Sequence, residues 1–481
     1  MSESLITMIG LLLVATLAVA SSAHALVYKR DPRAALGWIG MCLVLPLFGP
    51  LLYFLFGVNR IQTRAQRLTR QTPFRLGVGY ERGDYGWRGA VVDTEAVEAD
   101  WKSLATISGA LTRRPLLRGN RIEPLANGES AYPAMLAAID GAQSHVYLST
   151  YIFDADETGR RFIDALAHAQ RRGVTVRVLV DGIGELYSLP RASRLLRQRG
   201  ARVERFMPPS LWPPSLHLNL RNHRKILAVD GEVAFIGGMN IGDRHLVEGD
   251  GRRHRLADLH FRCRGPVVSQ IETIFAEDWR FATRELVEPT PIAREEPVGP
   301  SVCRAFTDGP NEDLDTLALV LNGAAGEARE RIDIMTPYFV PPPTLVAALQ
   351  TAALRGVRVR LLLPARSNLA YVHWATRNML GELLAFGVEV CYQPGPLAHA
   401  KLFVVDARYA IIGSANVDSR SLRLNFELAT EIFCRDTAAE LAAHCDRAAA
   451  RSRALTQAEI DERSLPVRMR DAACWLFSPY L

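Results

Sequence analysis

The sequence has few cysteines and no cysteine motif. Its seven cysteines are odd in number, scattered and never spaced C-x-x-C: Cys42, Cys263, Cys303, Cys391, Cys434, Cys445 and Cys474. This pattern argues against a disulfide framework and against a zinc site, so the thiols are expected to pack as small apolar side chains. Histidine and acidic residues show no metal-ligand spacing elsewhere, and we therefore expect neither a metal nor another cofactor.

Charge is also absent from two long stretches near the amino terminus. Leu5 to Val27 and Ala34 to Val58 contain no formally charged residue when His24 is neutral. Each stretch reaches the roughly 20 residues that a helix needs to cross a bilayer core. A short polar turn separates the two, Tyr28 to Arg33. The pattern predicts a transmembrane hairpin that anchors the protein through residues 1–59.

Two alternatives for this region stay open at the level of sequence. Ala23-His24-Ala25 resembles a signal-peptide cleavage site, but the first residues carry no basic region and a second apolar stretch follows at once. Pro46 and Pro50 could kink the second span or make it re-entrant. Five arginines follow the second stretch, at positions 60, 64, 67, 70 and 75. The positive-inside rule then places the large carboxyl-terminal part on the cytoplasmic side of a bacterial inner membrane.

The remaining chain repeats itself after a polar juxtamembrane linker, assigned to residues 60–120. Arg172 to Val180 mirrors Arg355 to Leu363, and each copy follows a helix-like segment that itself follows an apolar strand. Strand–helix–strand units of this kind predict an α/β fold with mixed sheets flanked by helices. We expect a duplicated domain with two-fold pseudo-symmetry, in halves 121–290 and 300–481. The segment Leu286 to Pro300, rich in proline and glutamate, would join them.

Each half carries the same chemical pattern. The first copy comprises His223, Lys225, Asp230 and Gly237-Gly238-Met239-Asn240, and the second His399, Lys401, Asp406 and Gly413-Ser414-Ala415-Asn416. The intervals agree residue for residue, which chance does not explain. Positions i and i+2 of a strand share a face, so each histidine should project beside its lysine. The motifs are expected at residues 217–244 and 393–420.

Two imidazoles, two ammonium groups and two amides around one pocket suit a phosphodiester. The lysines would neutralise the non-bridging oxygens, while one histidine attacks phosphorus and the other protonates the leaving alcohol. Asn240 and Asn416 are candidate phosphate-binding amides, and Asp258 and Glu427 are candidate acids that orient the histidines. Asp230 and Asp406 belong to the catalytic motif, although carboxylates that end strands usually cap turns. Four further histidines read either as pocket rim or as ordinary surface: His217, His245, His254 and His260.

The repeated pattern H-x-K-x4-D-x6-G-[GS]-x-N resembles the signature of the phospholipase D superfamily. Further segments resemble bacterial cardiolipin synthases: Arg221 to Lys225, Gly237 to Asp243, Thr336 to Pro341, Asn416 to Ser421, Asn425 to Glu427 and Leu45 to Tyr53. One departure is clear. Such synthases usually carry Trp-Arg-Asp where this sequence has Leu256-Ala257-Asp258, which keeps only the acid.

The resemblance implies a phosphatidyltransferase. One histidine, by family analogy His223, would attack phosphatidylglycerol and release glycerol as a phosphatidyl-histidine forms. His399 would act as acid and then as base, and a second phosphatidylglycerol would complete cardiolipin. The two histidine roles could be reversed.

Expected partners are phosphatidylglycerol, other anionic phospholipids and the bilayer, with no nucleic acid. The net charge of +6 does not choose among anionic partners by itself. Alternatives are a phospholipase D-type hydrolase, a transferase that uses another acceptor alcohol and, more remotely, an inactive lipid-binding scaffold. A nuclease of the superfamily fits poorly with a membrane hairpin. The apolar tail, Trp475 to Leu481, is expected to pack on the catalytic body or to dip into the membrane interface.

Overall fold

The computed structural model describes residues 3–29, 32–57, 89–211, 214–215, 220–248, 255–288, 296–310 and 315–478. The chain forms two compact units, Met1–Pro73 and Phe74–Leu481, which are considered separately. The juxtamembrane arginines at positions 60 to 75, together with His217 and His254, lie outside the described residues.

The first unit is built on one long apolar helix. Helix α1 spans Glu3–Tyr28 and is followed by α2, Pro32–Val44, and the short α3, Phe48–Leu52. Within α1, the segment Leu5–Tyr28 has a mean hydropathy of 2.2 and is long enough to cross a membrane. Helices α1 and α2 pack around a small core made of Ala25, Cys42 and Tyr53.

The second apolar stretch does not form one continuous helix, in keeping with the alternative in which its prolines interrupt the span. Helix α2 ends at Val44, a bend follows, and α3 gives way to a π-helical turn at Tyr53–Gly57. Proline explains the break, because Pro46 and Pro50 lack the N–H that would continue the helical ladder, and their rings clash with the preceding turn. Among the described residues, α1 is the helix that is long enough to span.

The second unit alternates helices and strands. Its helices are α4 Lys102–Thr112, α5 Asn127–Gly141, α6 Glu157–Arg171, α7 Ala192–Gln198, α8 Val267–Thr283, α9 Thr316–Glu327, α10 Pro343–Leu354, α11 Ala370–Leu384, α12 Ser419–Arg423, α13 Arg435–Ala450, α14 Gln457–Asp461 and α15 Leu465–Trp475. Its strands are β1 Val91–Val92, β2 Leu116–Ala126, β3 His145–Thr150, β4 Thr175–Asp181, β5 Arg202–Phe206, β6 Ser210–Leu211, β7 Pro214–Ser215, β8 Ile226–Val229, β9 Val233–Gly237, β10 Leu256–Ala257, β11 Leu259–Arg264, β12 Ser301–Asp308, β13 Arg331–Met335, β14 Phe339–Val340, β15 Arg358–Pro364, β16 Glu389–Gln393, β17 Leu397–Ala398, β18 Leu402–Val405, β19 Tyr409–Gly413, β20 Val417–Asp418, β21 Glu427–Phe433 and β22 Arg453–Ala454.

One mixed sheet runs through this whole unit. Its strand order is β22-β16-β15-β13-β18-β19-β21-β12-β2-β11-β9-β8-β3-β4-β5. The two halves of the sequence therefore join through the antiparallel pair β12–β2, in which Cys303 lies opposite Leu117. Separate sheets were expected for the halves, but pairing of these two buried strands merges them into one.

The predicted strand–helix–strand units are confirmed. Strands β3 and β4 are parallel and joined by α6, while β13 and β15 are parallel and joined by α10. Gly173 and Gly356 follow these helices with φ of 91° and 89°, the left-handed conformation that ends a helix and favours glycine. The antiparallel neighbours β8 and β18 start beside the carboxyl ends of β3 and β13.

The expected juxtamembrane linker of residues 60–120 is too long. Its described part, from residue 89, contains β1, α4 and the start of β2. Trp101, Leu104 and Leu116 are buried in the core of the second half. The spacing of these apolar side chains is typical of a helix and a strand, and their burial explains why this segment is part of the folded unit. Within Leu286 to Pro300, the described residues form no helix or strand, in keeping with a connecting segment.

Candidate active site

Both histidine–lysine motifs lie at the edge of the sheet where the parallel strands end. Ile226, the first residue of β8, pairs with Ser149 near the carboxyl end of β3, and Leu402, the first of β18, pairs with Met335 at the end of β13. The residues just before β8 and β18 therefore emerge at this edge, His223 with Lys225 and His399 with Lys401. Ligands commonly bind at such strand ends.

Each motif is joined to the other half of the chain by a backbone hydrogen bond. The N–H of His223 donates to the carbonyl of Phe426 at 3.0 Å, and the N–H of His399 donates to that of Ala257 at 2.7 Å. Strands β10 and β17 form a parallel pair between the halves. These contacts place the residue that follows Phe426, and the residue that follows Ala257, beside a histidine from the opposite half.

Those two residues are Glu427 and Asp258. Nδ1 of His223 lies 3.0 Å from Oε1 of Glu427, and Nδ1 of His399 lies 2.8 Å from Oδ2 of Asp258. Along the chain Asp258 follows His223 and Glu427 follows His399. The structure instead crosses the pairs. In each pair the acid contacts Nδ1, so Nε2 is the ring nitrogen that does not face the acid; that of His399 lies 3.4 Å from Nζ of Lys401.

Both lysines are buried beside their own histidines. Lys225 Nζ donates to the carbonyl of His223 at 2.7 Å and lies 5.4 Å from the centre of the Tyr151 ring. Lys401 Nζ donates to the carbonyl of His399. Burial lowers the pKa of Lys225 to about 7 and that of Lys401 to about 8, each only partly offset by Glu427 and Asp258. The proximity of the two ammonium groups lowers the pKa of Lys225 further.

The electrostatics of the histidines and acids follow from the same burial. Burial lowers the pKa of His223 despite the charge of Glu427, and it lowers that of His399 to about 4. Burial alone would raise the pKa of Glu427, but the charge and hydrogen bond of His223 hold it at about 2. The pKa of Asp258 is likewise held below its usual range, against burial, by the hydrogen bond from His399. Both acids are thus ionised hydrogen-bond acceptors.

A difference between the motifs explains one substitution in the glycine-rich step. A Cβ added to Gly238 would lie 2.7 Å from a carboxylate oxygen of Asp258, so this position leaves room for the acid. In the second copy Ser414 stands at the matching position, and its Oγ donates to Glu427. Asn425 also donates to Glu427, at 3.2 Å. Glu427 therefore accepts hydrogen bonds from Ser414 and Asn425 in addition to its contact with His223.

Asp230 and Asp406 lie at the opposite edge of the sheet from the histidines. The carboxylate of Asp230 accepts backbone N–H groups from Gln143, Ser144 and His145. Asp406 accepts the corresponding N–H groups of Arg329, Glu330 and Arg331. The sequence left open whether a strand-ending aspartate reacts or caps a turn. These contacts tie the two aspartates to the turns that lead into β3 and β13.

The two asparagines differ in their surroundings. Oδ1 of Asn240 accepts the N–H of Ile152 at 3.1 Å, which directs its amide nitrogen elsewhere. Oδ1 of Asn416 is buried and has no hydrogen-bond partner within the described part of the chain. Asn416 and Lys401 both line a small cavity of about 30 Å³.

Two histidines of uncertain role prove to be buried next to the motif. His245 and His260 are 0% and 1% exposed, so both the rim and the surface interpretations are wrong for them. Nε2 of His245 accepts the N–H of Asn240 at 3.2 Å, and its ring centre lies 6.2 Å from that of His399. Several of the neighbours of these histidines in the sequence are arginines, glycines or acids, which favour a surface position. Their burial depends on tertiary packing and could not be predicted from those neighbours.

Tyr151 is a site residue that sequence analysis missed. Its ring lies edge-on to His223, with 5.4 Å between ring centres. A tyrosine follows the corresponding strand in both copies, Tyr151 after β3 and Tyr338 after β13, and this repetition could have marked the position. The sequence does not show on which side of the strand end the ring of Tyr151 lies. In the described residues no group of three or more histidines, cysteines or acids is arranged to hold a metal ion.

Comparisons with known proteins find relatives along most of the chain. A family described as "Cardiolipin synthase, PLD-like domain" matches residues 135–279 and 323–449, and one described as "Phospholipase D-nuclease N-terminal" matches residues 11–57. The major cardiolipin synthase ClsA of Bacillus subtilis is 32% identical over 467 residues, 94% of this chain and 95% of that protein. Cardiolipin synthase A of Pseudomonas syringae is 36% identical over 421 residues, 86% of this chain and 85% of that protein.

A solved structure supports the fold. The phosphatidylserine synthase of Haemophilus influenzae superposes with a TM-score of 0.62 at 16% identity, covering 79% of this chain and all of that protein. At this identity the likeness concerns the arrangement of the sheet and helices alone.

Proposed function

The chain belongs to the cardiolipin synthase family of phospholipase D-like proteins, and from that premise we propose that it makes cardiolipin from two phosphatidylglycerol molecules with release of glycerol. The observation that carries the proposal is the crossed arrangement of His223 with Glu427 and His399 with Asp258 around two buried lysines. Two imidazoles, each with Nδ1 held by an acid, supply a nucleophile and a proton donor for phosphoryl transfer.

In the first step Nε2 of His223 attacks the phosphorus of one phosphatidylglycerol. A P–N bond forms, the P–O bond to the glycerol headgroup breaks, and His399 gives its proton to the departing oxygen. Glu427 stabilises the positive charge that develops on His223. Burial leaves His399 without its second proton in the substrate-free protein at neutral pH, because it lowers the pKa to about 4. The negative charge of the bound phosphodiester raises that pKa, so His399 takes up a proton from solvent as the substrate binds and then gives it to the leaving oxygen.

In the second step the free terminal hydroxyl of another phosphatidylglycerol attacks the phosphatidyl-histidine. His399 now takes the proton of that hydroxyl, the P–N bond breaks and cardiolipin leaves. Lys225 and Lys401 stabilise the charge on the non-bridging oxygens in both steps, with Asn240 and Asn416 as further amide donors. Asp230 and Asp406 act through the turns that they hold rather than on the phosphate.

The two halves of the catalytic unit are proposed to be related by duplication. The first half ends near residue 290, and the second begins near residue 300. The strand order supports this. Once the terminal β22 is set aside, β5-β4-β3-β8-β9-β11-β2 and β16-β15-β13-β18-β19-β21-β12 run from the two outer sides of the sheet to its centre in matching order. The first unit is proposed to be a membrane anchor, with α1 as a span and the α2–α3 segment as the broken second arm of a hairpin. Arginines after this segment favour a cytoplasmic catalytic unit.

The experiment is product analysis with phosphatidylglycerol as the sole lipid substrate, in detergent and with a chelator. Lipids are identified by mass spectrometry for the wild type, His223→Ala, His399→Ala and, as a matched control, the exposed His168→Ala. Cardiolipin and glycerol from the wild type and the control alone would support the proposal. Phosphatidic acid as the sole product would mean a hydrolase, and product formation by both motif variants would overturn the two-histidine mechanism.

The same experiment separates the two histidine roles. Rapid denaturation during turnover, followed by peptide mass spectrometry, should find the phosphatidyl adduct on the peptide that contains His223. An adduct on His399 would reverse the assignment, and it would leave the transferase itself in place.

A further inference from the structure

An exposed apolar loop lies beside the catalytic pocket. It follows β4 and comprises Gly184 to Arg191, with Leu186, Tyr187 and Leu189 47%, 65% and 83% exposed. Exposed leucines are common singly, but three neighbouring apolar side chains on one loop at the mouth of a site are not. We call residues 186–189 the apolar lip.

The apolar lip connects directly to the reacting histidine. The ring centres of Tyr187 and Tyr151 are 6.2 Å apart. Tyr151 in turn lies against the ring of His223. The lip is therefore one aromatic residue away from the atom at which phosphorus would be bound.

Buried contacts hold the lip in place. The carboxylate of Asp181 accepts the N–H groups of Ile183 and Gly184, and its other oxygen accepts the N–H of Asn222, next to His223. A Cβ added to Gly184 would lie 1.9 Å from the carbonyl oxygen of Tyr151, so the loop runs tightly against that strand end. These contacts fix the position of the segment that carries the two leucines. Exposure of their apolar surface to water is unfavourable, and burial of that surface against a lipid or another apolar surface would remove this free-energy cost.

Exposed basic residues follow the lip at once. Arg191 and Arg194, at the start of α7, are both exposed. Apolar and aromatic residues flanked by arginines are the composition of segments that lie in the interface of an anionic bilayer. The loop after β15, which occupies the corresponding place in the other half of the strand order, presents the polar Arg366 and Asn368 before the exposed Tyr371 and has no exposed leucine pair.

We propose that the apolar lip inserts into the surface of an anionic phospholipid bilayer and delivers the phosphodiester of a membrane-embedded lipid to His223. This inference rests on the proposed function, because a substrate whose acyl chains remain in the bilayer needs a continuous apolar path to the pocket. Tyr187 sits where an aromatic side chain bridges the acyl region and the headgroups. Arg191 and Arg194 contact the anionic headgroups around the entering lipid.

The test compares two substrates in the full-length protein. One is dihexanoyl-phosphatidylglycerol below its micellar concentration, and the other is long-chain phosphatidylglycerol diluted in neutral detergent micelles. The lip variant is Leu186→Ser with Leu189→Ser. Its control is Leu286→Ser with Leu354→Ser, which changes two leucines outside the lip that are 65% and 70% exposed. Glycerol release is measured, since transfer and hydrolysis both produce it.

The lip variant should keep the wild-type rate on the monomeric substrate and need at least about tenfold more phosphatidylglycerol in the micelle surface for half-maximal rate, the scale of withdrawing one leucine from an apolar phase. The control variant should match the wild type on both. Arg191→Glu with Arg194→Glu should weaken the micellar reaction alone. Equal losses on both substrates would make the loop part of the catalytic pocket, and unchanged rates on both would overturn the proposal.

A change in oligomeric state of the lip variant, measured by light scattering in detergent, would assign the lip to a contact between copies and also overturn it. Failure of the function itself has a different signature. If the wild type releases glycerol without forming cardiolipin, the transferase proposal falls while the comparison of lip and control variants still stands.

Discussion

Nδ1 of His399 lies 2.8 Å from Oδ2 of Asp258, a residue 141 positions earlier in the chain and in the other half of the catalytic unit. The reciprocal contact joins His223 to Glu427. Because each histidine takes its acid from the opposite half, neither half contains a complete histidine–acid pair. Both histidine–acid pairs therefore form only when the two halves are packed against each other, and we expect activity to require that contact.

Asp258→Asn should lower kcat by at least about 100-fold, because the amide cannot stabilise the imidazolium and allows the wrong tautomer of His399. The shape of the side chain is kept, so circular dichroism and the Tm should change much less than kcat does. Glu123→Gln, a change of an acid in β2 that pairs with Arg262, is a suitable control. A variant with near-normal kcat would remove Asp258 from the catalytic arrangement.

The crossing also marks a limit of sequence analysis. The spacing of each motif predicted which residues gather at the strand ends, and the chemistry of a histidine predicted that an acid should contact it. Register within a half is partly local, since β8 turns directly into its antiparallel neighbour β9. The partner of His399 depends instead on how β10 lies against β17, a contact between distant segments that leaves no local periodicity to detect.

Asp406→Asn should destabilise the protein and leave the chemistry largely intact. The substitution weakens three charge-assisted hydrogen bonds from backbone N–H groups at the turn into β13. A loss of roughly 1–3 kcal/mol in the free energy of unfolding is expected, together with a lower Tm measured by differential scanning calorimetry. Asp230→Asn should behave alike. Loss of kcat at an unchanged Tm would instead mean that these aspartates act at the phosphate.

Lysine is scarce in this chain, which makes the two motif lysines conspicuous. Lys29, Lys102, Lys225 and Lys401 are the lysines of the sequence, and arginine supplies the other basic side chains among 57 lysines and arginines. A compact ammonium fits where Lys225 contacts the His223 carbonyl at 2.7 Å, whereas a guanidinium is larger and planar. Lys225→Arg should therefore lose at least about 100-fold in kcat/KM despite its retained charge, and Lys102→Arg should have no effect.

The same lysines predict opposite pH responses of activity and stability. As pH rises through about 7 and then about 8, Lys225 and Lys401 lose their charges in the substrate-free protein, so kcat/KM should fall. Their pKa values in the folded protein lie below the unfolded value of 10.5, so the unfolded chain binds more protons between about pH 7 and 10.5. Their contribution to stability must then increase with pH in that window. Lys225→Met should flatten the increase, as followed by Tm against pH.

His245→Phe should lower kcat/KM through the position of Asn240. Nε2 of His245 accepts the Asn240 N–H, and burial holds the pKa of His245 well below its ordinary value, so the neutral ring remains an acceptor. Phenylalanine fills the space without accepting that bond. His245→Gln can restore an acceptor, and partial recovery of kcat/KM is expected with it. Equal losses in both variants, in parallel with their Tm values, would reduce His245 to a packing role.

Burial also explains why sequence analysis misjudged this histidine. His245 follows Asp243 and Arg244, neighbours that suggest a solvated turn. The turn is drawn inward because Asp243 accepts the N–H of Thr158 and the hydroxyl of Tyr132 donates to the carbonyl of Gly242. Contacts of this kind come from α5 and α6, so only the folded arrangement places His245 beside His399.

Removal of residues 475–481 should reduce activity on lipid in a bilayer more than activity on a monomeric substrate. Trp475 is the last residue of α15, and Leu476 and Phe477 follow it; the three are 40%, 71% and 63% exposed, so they do not form part of the buried core. Helix α15 itself is fixed to α11 by Asp471, which pairs with Arg377. The deletion spares that ion pair and should leave the Tm within a few degrees of the wild type. Unchanged rates on proteoliposomes and on dihexanoyl-phosphatidylglycerol would exclude a role of the tail at the membrane, because an exposed apolar end that touches no lipid can be removed without kinetic cost.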